Sequence, residues 1–200
     1  MASKALAGYD VYFRQDLVGA SYALVNTSVP GQPPPATYFG GATPSADFYL
    51  LYLWKRLVGT RVLGVTTLPG VPLLPPRTYA FCTPSSTPTS LTLVVINLNA
   101  SEPTCLQLPP FVPPSTPLTY YTLTPGDAAM GVESWGVRLN GVPLELSAEG
   151  LLPDLGGVVV MPGEGGIQLP PLSVSFVVLP SASTLSACAE GGAGGVARDQ

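Results

Sequence analysis

Short apolar runs, separated by proline, glycine, asparagine and serine, follow one another along the sequence from Arg61 onward. Within these runs apolar residues tend to alternate with polar ones, which is the period of a strand that buries one face. The 24 prolines and 22 glycines punctuate the runs without replacing them, which favours short strands and turns. We predict a mainly β fold, a β-sandwich of about eight short strands at residues 62–65, 78–82, 91–98, 105–108, 118–123, 137–139, 142–146 and 174–179.

One pair of these strands carries a specific turn signal. Asn140 and Gly141 stand between the runs VRL and VPLEL. A two-residue type I′ turn needs positive φ at both central positions, and asparagine and glycine tolerate it best. The sequence therefore predicts a β-hairpin here.

The stretch 43–63, TPSADFYLLYLWKRLVGTRVL, carries the signals of one helix that leads into a strand. Thr43 is a suitable N-cap, and Pro44 suits the first helical position because its missing N–H has no partner there. Gly59 suits the left-handed position that ends many helices. Aromatic and leucine side chains surround most of this helix, so we expect a sheet to cover it on one side.

The residues before this helix predict a strand and its exit loop. In the stretch 9–26, YDVYFRQDLVGASYALVN, Val11 and Phe13 alternate with other side chains as they would in a strand. Gly19 and Ala20 then interrupt the apolar run. Residues 31–43 form a Pro- and Gly-rich loop, and the glycine-rich tail 190–200 is expected to be disordered.

Composition excludes several classes of function. A net charge of −4 with eight scattered basic residues gives no footprint for nucleic acid or an anionic membrane. No apolar run has the length of a transmembrane helix, and MASKALAG lacks the apolar core of a signal peptide. Because the sequence has no histidine, it has no Ser/His or Cys/His pair, and we expect neither a metal site nor a cofactor.

Cysteines and asparagines offer candidate modification sites. Cys82 ends one apolar run and Cys188 follows another, so a disulfide between them is compatible with the sequence, and three buried free thiols are the alternative. Asn26 and Asn99 each begin an Asn-X-Ser triplet, the acceptor for N-glycosylation in chains that enter the secretory route. Such triplets also arise by chance.

The order of several motifs resembles a known family. YFRQDLVGASYALVN followed by DFYLLYLWKRLVGTRVL is similar to the end of the catalytic barrel in heparanase and the plant heparanase-like β-glucuronidases, which are retaining glycosidases. TYAFCT, LVVINLNAS, VRLNGVPLEL and LPPLSVSFVVLP have counterparts downstream in the same order. The resemblance covers the chain from about Tyr9 to Cys188.

The family resemblance implies a fold. Residues 1–60 would be the last strand-helix unit of an incomplete (β/α)8 barrel, residues 61–189 a β-sandwich, and residues 190–200 a tail. The resemblance also implies a disulfide between Cys82 and Cys188, with Cys105 left free. The missing partner would then be the N-terminal barrel segment.

The resemblance implies a substrate-binding loop as well. A Gly-Asn-Tyr loop in the family contacts the carboxylate of glucuronic acid, and Ala20, Ser21 and Tyr22 occupy its place. Only the tyrosine is retained, and the Cβ of Ala20 stands where the backbone would approach the sugar. A tyrosine packed at the barrel rim is the alternative for Tyr22.

The catalytic residues of the family have no counterpart here. Retaining glycosidases use two carboxyl groups about 5 to 5.5 Å apart, as acid/base and nucleophile. In this family both are glutamates on earlier barrel strands, and the acid follows an asparagine. No glutamate of this chain follows an asparagine, and all are expected at solvated surfaces: Glu102, Glu133, Glu145, Glu149, Glu164 and Glu190. Asp10 and Asp16 flank the predicted barrel strand, and no family role transfers to them.

The resemblance therefore implies the C-terminal part of a secretory-route glycosidase that acts on glucuronic-acid-containing glycans. Its location would be extracellular, in a cell wall, lysosome or vacuole, or peripheral to a membrane. We expect the chain alone to lack activity, because a barrel needs about 200 residues or more.

Two other interpretations stay open. A free-standing carbohydrate-binding β-sandwich would present coplanar aromatic rings, and Tyr120, Tyr121 and Trp135 are the candidates. Adjacent tyrosines in a strand point to opposite faces, which weakens such a platform. A proline-rich structural protein would need repeats, but the proline clusters at 33–35, 109–114 and 170–171 are irregular.

Overall fold

The computed structural model describes residues 1–9, 11–13, 16–19, 23–27, 42–65, 76–84, 90–108, 110, 112–180 and 188. The predicted mainly β fold is confirmed in these residues. A three-stranded sheet near the N-terminus contains β1 (Val18–Gly19), β2 (Val25–Thr27) and β3 (Ala42–Pro44). The α-helices of the described chain are α1 (Ala2–Leu6) and α2 (Ala46–Leu57), and neither has the length and apolar character to span a bilayer.

The remaining strands form one large and one small antiparallel sheet. They are β4 (Val62–Leu63), β5 (Arg77–Cys82), β6 (Leu91–Asn97), β7 (Thr104–Leu106), β8 (Leu118–Pro125), β9 (Val137–Leu139), β10 (Val142–Pro143), β11 (Val158–Val160), β12 (Ile167–Leu169) and β13 (Ser173–Leu179). The large sheet has the order β10-β9-β8-β13-β6-β5-β4, and β11 also pairs with β8. Strands β7 and β12 pair with each other.

A hydrophobic cluster lies on each face of the large sheet. Helix α2 covers the first face, where Leu53 packs in the same buried cluster as Phe176 of the central strand β13. The small sheet covers the second face, where Leu169 of β12 packs with Val177 of β13. Because successive residues of a strand point to opposite faces, β13 supplies both clusters. Helix α2 therefore shares a core with the strands that follow it.

The start of α2 differs from the prediction. The N-cap is Ser45, whose hydroxyl accepts a hydrogen bond from the Phe48 amide at 3.4 Å. Thr43 and Pro44, predicted as N-cap and first helical residue, lie in β3 and pair with β2. Thr43 and Ser45 are both suitable N-caps. Because Thr43 pairs with β2, Ser45 caps the helix. Pro44 fits an edge strand because it has no N–H to leave unpaired.

The end of α2 also differs from the prediction. Val58 follows the last helical residue in an extended conformation, and the glycines with positive φ do not include Gly59. A glycine is needed at position 59 because the backbone of Cys82 and Thr83 passes close to it. A Cβ on Gly59 would lie 2.6 Å from the carbonyl oxygen of Cys82 and 2.7 Å from that of Thr83.

Most of the predicted strands are present, and the hairpin is confirmed. Leu139 pairs with Val142 across the turn, and Asn140 and Gly141 have φ of 50° and 85°. The hairpin strand predicted for 142–146 is shorter, and β11 and β12 were not predicted. The strand predicted around Val11 and Phe13 is wrong for residues 11–13, which have no strand pairing. A strand needs a neighbour to satisfy its backbone, and the described residues offer it none.

Burial of Tyr49 in the first cluster predicts a pH dependence of stability. Its hydroxyl donates to the Leu144 carbonyl at 3.4 Å, and burial, with the charge of Glu145 adding to it, raises the pKa of Tyr49 to about 12 from its ordinary value of 10.0. Below pH 10 the phenol is protonated in both the folded and the unfolded chain, and its contribution to stability is fully present. As the pH rises towards 12 the unfolded chain loses this proton first, so the contribution is lost. We expect the free energy of unfolding to fall by on the order of 2 kcal/mol over that window because of this one group.

Urea denaturation between about pH 9 and 11.5 measures this effect. The Tyr49→Phe variant is the matched control, since it keeps the ring and has no phenol to ionise. Its stability should fall less steeply with pH than that of the wild-type chain. Superimposable pH profiles would contradict the assignment.

Candidate functional site

Backbone hydrogen bonds join residues 16–19 to residues 23–27. Strand β1 runs parallel to β2, with Val18 opposite Val25. The Leu24 amide donates to the Asp16 carbonyl at 3.0 Å, and the Val25 amide donates to the Leu17 carbonyl at 2.9 Å. The two ends of the intervening connection are therefore held together.

The predicted substrate-binding residues lie within this connection. Ala20, Ser21 and Tyr22 are outside the described residues, so their role stays a prediction. The residues on either side are described: Gly19 ends β1, and the side chain of Ala23 is buried. The fold thus fixes where the predicted loop begins and ends.

Asp16, to which no family role transfers, lies next to this connection. It is half-buried, whereas the other described aspartates and glutamates are exposed. A Cβ built on Gly19 would lie 3.7 Å from Oδ2 of Asp16 and 3.8 Å from the Cβ of Ala23. Its carboxylate therefore lies near Gly19, at one end of the 20–22 connection. The only signal in the sequence is its position before an apolar run.

Two buried side-chain oxygens in β2 and β3 have no hydrogen-bond partner among the described residues. Asn26 of β2 stands opposite Thr43 of β3 in the strand register. Asn26 Oδ1 and Thr43 Oγ1 are buried, and neither has a hydrogen-bond partner in the described part of the chain. A buried unpaired acceptor costs about 1–3 kcal/mol. A group supplied from outside the described residues would remove this cost.

The described glutamates have the surface positions that the sequence predicted. Glu102, Glu133, Glu145, Glu149 and Glu164 are all exposed, and Glu190 is outside the described residues. Ser147 Oγ donates to Glu149 Oε2 at 2.8 Å, and its hydrogen bond is the main reason that the pKa of Glu149 lies below its usual range. A catalytic acid needs a raised pKa. The lowered pKa of Glu149 is therefore the opposite of what a catalytic acid requires.

The aromatic residues of the alternative interpretation do not form a platform. Tyr121 is buried in the first cluster, and Tyr120 packs against the second, on the opposite face of β8. Trp135 is 54% exposed in the connection before β9. One exposed ring is not the set of coplanar rings that a sugar-binding face presents.

The cysteines are arranged as the family resemblance implied. Cys82 and Cys188 form a disulfide, with their Cα atoms 5.6 Å apart. Cys105 is an exposed free thiol whose sulfur lies 2.9 Å from the Gly165 carbonyl. No cluster of three or more histidine, cysteine or carboxylate side chains suited to a metal ion occurs among the residues described.

Known proteins resemble this chain over most of its length. No protein-family model matches it. It is 31% identical to baicalin-β-D-glucuronidase of Scutellaria baicalensis over 92% of this chain and 31% of the relative. It is 33% identical to heparanase of Gallus gallus over 91% of this chain, and 32% identical to heparanase-like protein 1 of Arabidopsis thaliana over 89%. These matches cover 32% and 34% of the relatives.

The chain thus spans about a third of the length of the curated relatives it matches. It is also 30% identical, over 72% of its length, to the inactive heparanase-2 of Mus musculus. Among solved structures, an α-L-arabinofuranosidase of Thermotoga petrophila matches 82% of this chain and 32% of its own, with 13% identity and a TM-score of 0.46.

Proposed function

This chain belongs to the family of the heparanases and the plant heparanase-like proteins, and we propose that it is the C-terminal part of a glycoside hydrolase acting on β-glucuronosyl linkages. The observation that carries the proposal is identity of about 30% over about nine-tenths of this chain to proteins named as glucuronidase or heparanase. The substrate would be a glucuronic-acid-containing polysaccharide or glycoprotein glycan. Tyr22, with Ser21 and Ala20, would contact the carboxylate of the glucuronic acid.

We also propose that the described part of this chain supplies the support for the active centre and that the catalytic pair lies elsewhere. Hydrolysis with retention requires an acid and a nucleophile about 5 to 5.5 Å apart, one of them with a raised pKa. The described glutamates are exposed, which keeps a carboxylate solvated and charged. Both roles would fall to glutamates of a preceding barrel segment.

Exposed apolar side chains support a missing barrel. Phe13 is 90% exposed, and its neighbours Val11 and Tyr12 are also exposed, in a segment without strand pairing. Consecutive exposed apolar residues mark a surface that another element covers. Residues 1–60 would then be the last strand-helix unit of the barrel, and 61–189 the supporting β-domain. Phe48, Trp54 and Leu57 are half-buried, as for a helix covered on one side by this chain.

The unpaired polar atoms support the same proposal. Asn26 Oδ1 and Thr43 Oγ1 are buried and have no hydrogen-bond donor among the described residues, next to the loop that would contact substrate. Neighbouring barrel residues would supply that donor. The disulfide indicates an oxidising compartment, so we place the protein on the secretory route, with a final location outside the cell, in a cell wall, or in a lysosome or vacuole.

Sequencing the full-length transcript tests the proposal directly. We expect the reading frame to continue upstream of Met1 into a segment of about 200 residues or more that contains an Asn-Glu pair and a second glutamate on barrel strands. An in-frame stop codon shortly upstream of Met1 in every transcript, with no separately encoded barrel segment produced in the same cells, would contradict it.

A further inference from the structure

The outer edge of the large sheet at β11 is apolar. One edge of β8 pairs with β13, and the other pairs with both β9 and β11. Among the described strands β11 has no second neighbour, so its far edge has no strand partner there. The exposed side chains of this edge are Val158, Val159 and, just beyond the strand, Met161, which are 47%, 65% and 72% exposed.

This edge lacks features that keep many sheet edges from pairing. Native edge strands commonly carry a lysine, another charged side chain or a proline. Residues 155–161 contain none of these. Because consecutive residues of a strand point to opposite faces, the exposure of both Val158 and Val159 leaves both faces of β11 open to solvent. An extended polypeptide can therefore approach this edge and add a strand to the sheet.

The surroundings of this edge are strongly acidic. The segment 127–164, which contains β9, β10 and β11, has six acidic residues and one basic residue, which gives a net charge of −5. The whole chain has a net charge of −4, so the remainder carries +1. The one basic residue, Arg138, donates hydrogen bonds to the carbonyls of Gly126 and Gly141. All six carboxylates are exposed: Asp127, Glu133, Glu145, Glu149, Asp154 and Glu164.

This charge determines which kind of strand fits the edge. A second copy of the chain would bring two segments of net charge −5 together, and like charges across strands are destabilising. Nucleic acid, an anionic bilayer and a polymer of glucuronic acid are repelled for the same reason. A strand that alternates apolar side chains with lysine or arginine complements both the apolar edge and its acidic surroundings.

The start of the chain lies at the opposite edge of the large sheet. Helix α1 contacts β4, and β4 is the last strand at that edge. Five strand spacings separate β11 from β4, a distance of about 24 Å. A segment that precedes Met1 would therefore join the fold far from β11, which favours a separate polypeptide as the occupant of this edge.

We propose that the β11 edge binds an extended basic segment of a separate protein, which adds to the large sheet as a further strand. Backbone hydrogen bonds to β11 supply affinity, and apolar side chains of the partner contact Val158 or Val159. Lysine and arginine side chains of the partner are attracted by the surrounding carboxylates, which speeds association and makes it sensitive to salt. The proposal does not depend on the hydrolytic function proposed above.

A labelled synthetic peptide, acetyl-KVKVKVK-amide, tests the proposal by fluorescence anisotropy with the purified chain, its disulfide intact. The wild-type chain should bind this peptide, with an affinity that falls at least about tenfold as NaCl rises from about 0.05 to 0.5 M. The peptide KVKPKVK has the same charge, but its proline cannot donate to a strand ladder, so it should bind at least about tenfold more weakly. The acidic peptide EVEVEVE should not bind.

Two matched variants locate the binding surface. Val159→Lys should weaken binding of KVKVKVK at least about tenfold, because a lysine on an edge strand blocks pairing and adds a like charge. Leu98→Lys makes the same kind of change at a side chain that is 63% exposed, just beyond the end of the central strand β6. Its affinity should stay within about twofold of wild type apart from the general effect of one added charge.

Several results would overturn the proposal. The first is a wild-type chain that does not bind KVKVKVK, and the second is equal binding of KVKVKVK and KVKPKVK, which would show attraction by charge alone. The third is equal weakening by Val159→Lys and Leu98→Lys. A dimer of the wild-type chain that Val159→Lys dissociates would assign the edge to a second copy. A longer protein with its preceding segment that fails to bind the peptide would assign the edge to that segment.

Sedimentation velocity of the wild-type chain and the Val159→Lys variant measures the oligomeric state, and we expect both to be monomers.

Discussion

Replacing Cys82 and Cys188 together by alanine is expected to lower the free energy of unfolding by about 4–5 kcal/mol. The two cysteines are 106 residues apart in sequence, and a cross-link over a loop of this length restricts the unfolded chain by about that amount on the chain-entropy estimate. Typical domains are stable by about 5–15 kcal/mol, so the loss is a large fraction of the total. The closed loop contains β6 to β13, which is most of the large sheet.

Equilibrium denaturation in guanidinium chloride under non-oxidising conditions measures this loss. Cys105→Ala is the matched control: its thiol is exposed, forms no disulfide and makes only surface hydrogen bonds with Gly165 and Gln107, so its removal should change stability by no more than about 0.5 kcal/mol. Adding a reductant should destabilise the wild-type chain and leave the double variant unchanged. A double variant within about 1 kcal/mol of wild type would show that the disulfide does not stabilise the fold.

Local sequence patterns predicted the parts of the fold that depend on neighbouring residues alone. The hairpin at Asn140 and Gly141 is set by the backbone freedom of two residues, and the structure has it. The long central strands β6 and β13 were predicted because their mostly apolar runs contain no proline or glycine. The small strand β12 was missed because its three residues form too short a pattern, and it exists only through its pairing with β7.

Other errors came from contacts between residues far apart in sequence. A glycine often ends a helix, so Gly59 was predicted to end α2. The structure needs a glycine there because the Cys82 and Thr83 carbonyls pass within 3 Å of where a Cβ would lie. Thr122 and Ser175 are buried polar residues in strands whose other buried residues are apolar. Their hydroxyls form a 2.7 Å hydrogen bond across β8 and β13. No local pattern predicts such a pair.

The candidate site was predictable only through the family resemblance. Nothing in composition or periodicity distinguishes Ala20, Ser21 and Tyr22 from other loop residues. The structure adds Asp16, whose carboxylate lies near Gly19 at one end of that loop, and the buried atoms of Asn26 and Thr43, which have no hydrogen-bond partner among the described residues. These features depend on the pairing of three short strands, and the sequence had predicted Thr43 as a helix cap instead.

The expected activity of this chain by itself is zero. A glycosidase accelerates its reaction by many orders of magnitude, at least about 10⁶-fold, through a carboxyl pair held at a set distance. The five described glutamates are exposed, and the hydrogen bond from Ser147 lowers the pKa of Glu149 away from the range of a general acid. Without the pair, binding of a glucuronide to the 20–22 loop would give no hydrolysis.

The most direct measurement is hydrolysis of an aryl β-glucuronide by the purified chain with its disulfide intact. Baicalin-β-D-glucuronidase, assayed side by side, is the positive control for substrate and conditions. We predict release of the phenol at the uncatalysed rate for this chain and rapid release for the control. Catalysed release by this chain that is lost on one Glu→Gln substitution among Glu102, Glu133, Glu145, Glu149 and Glu164 would contradict it.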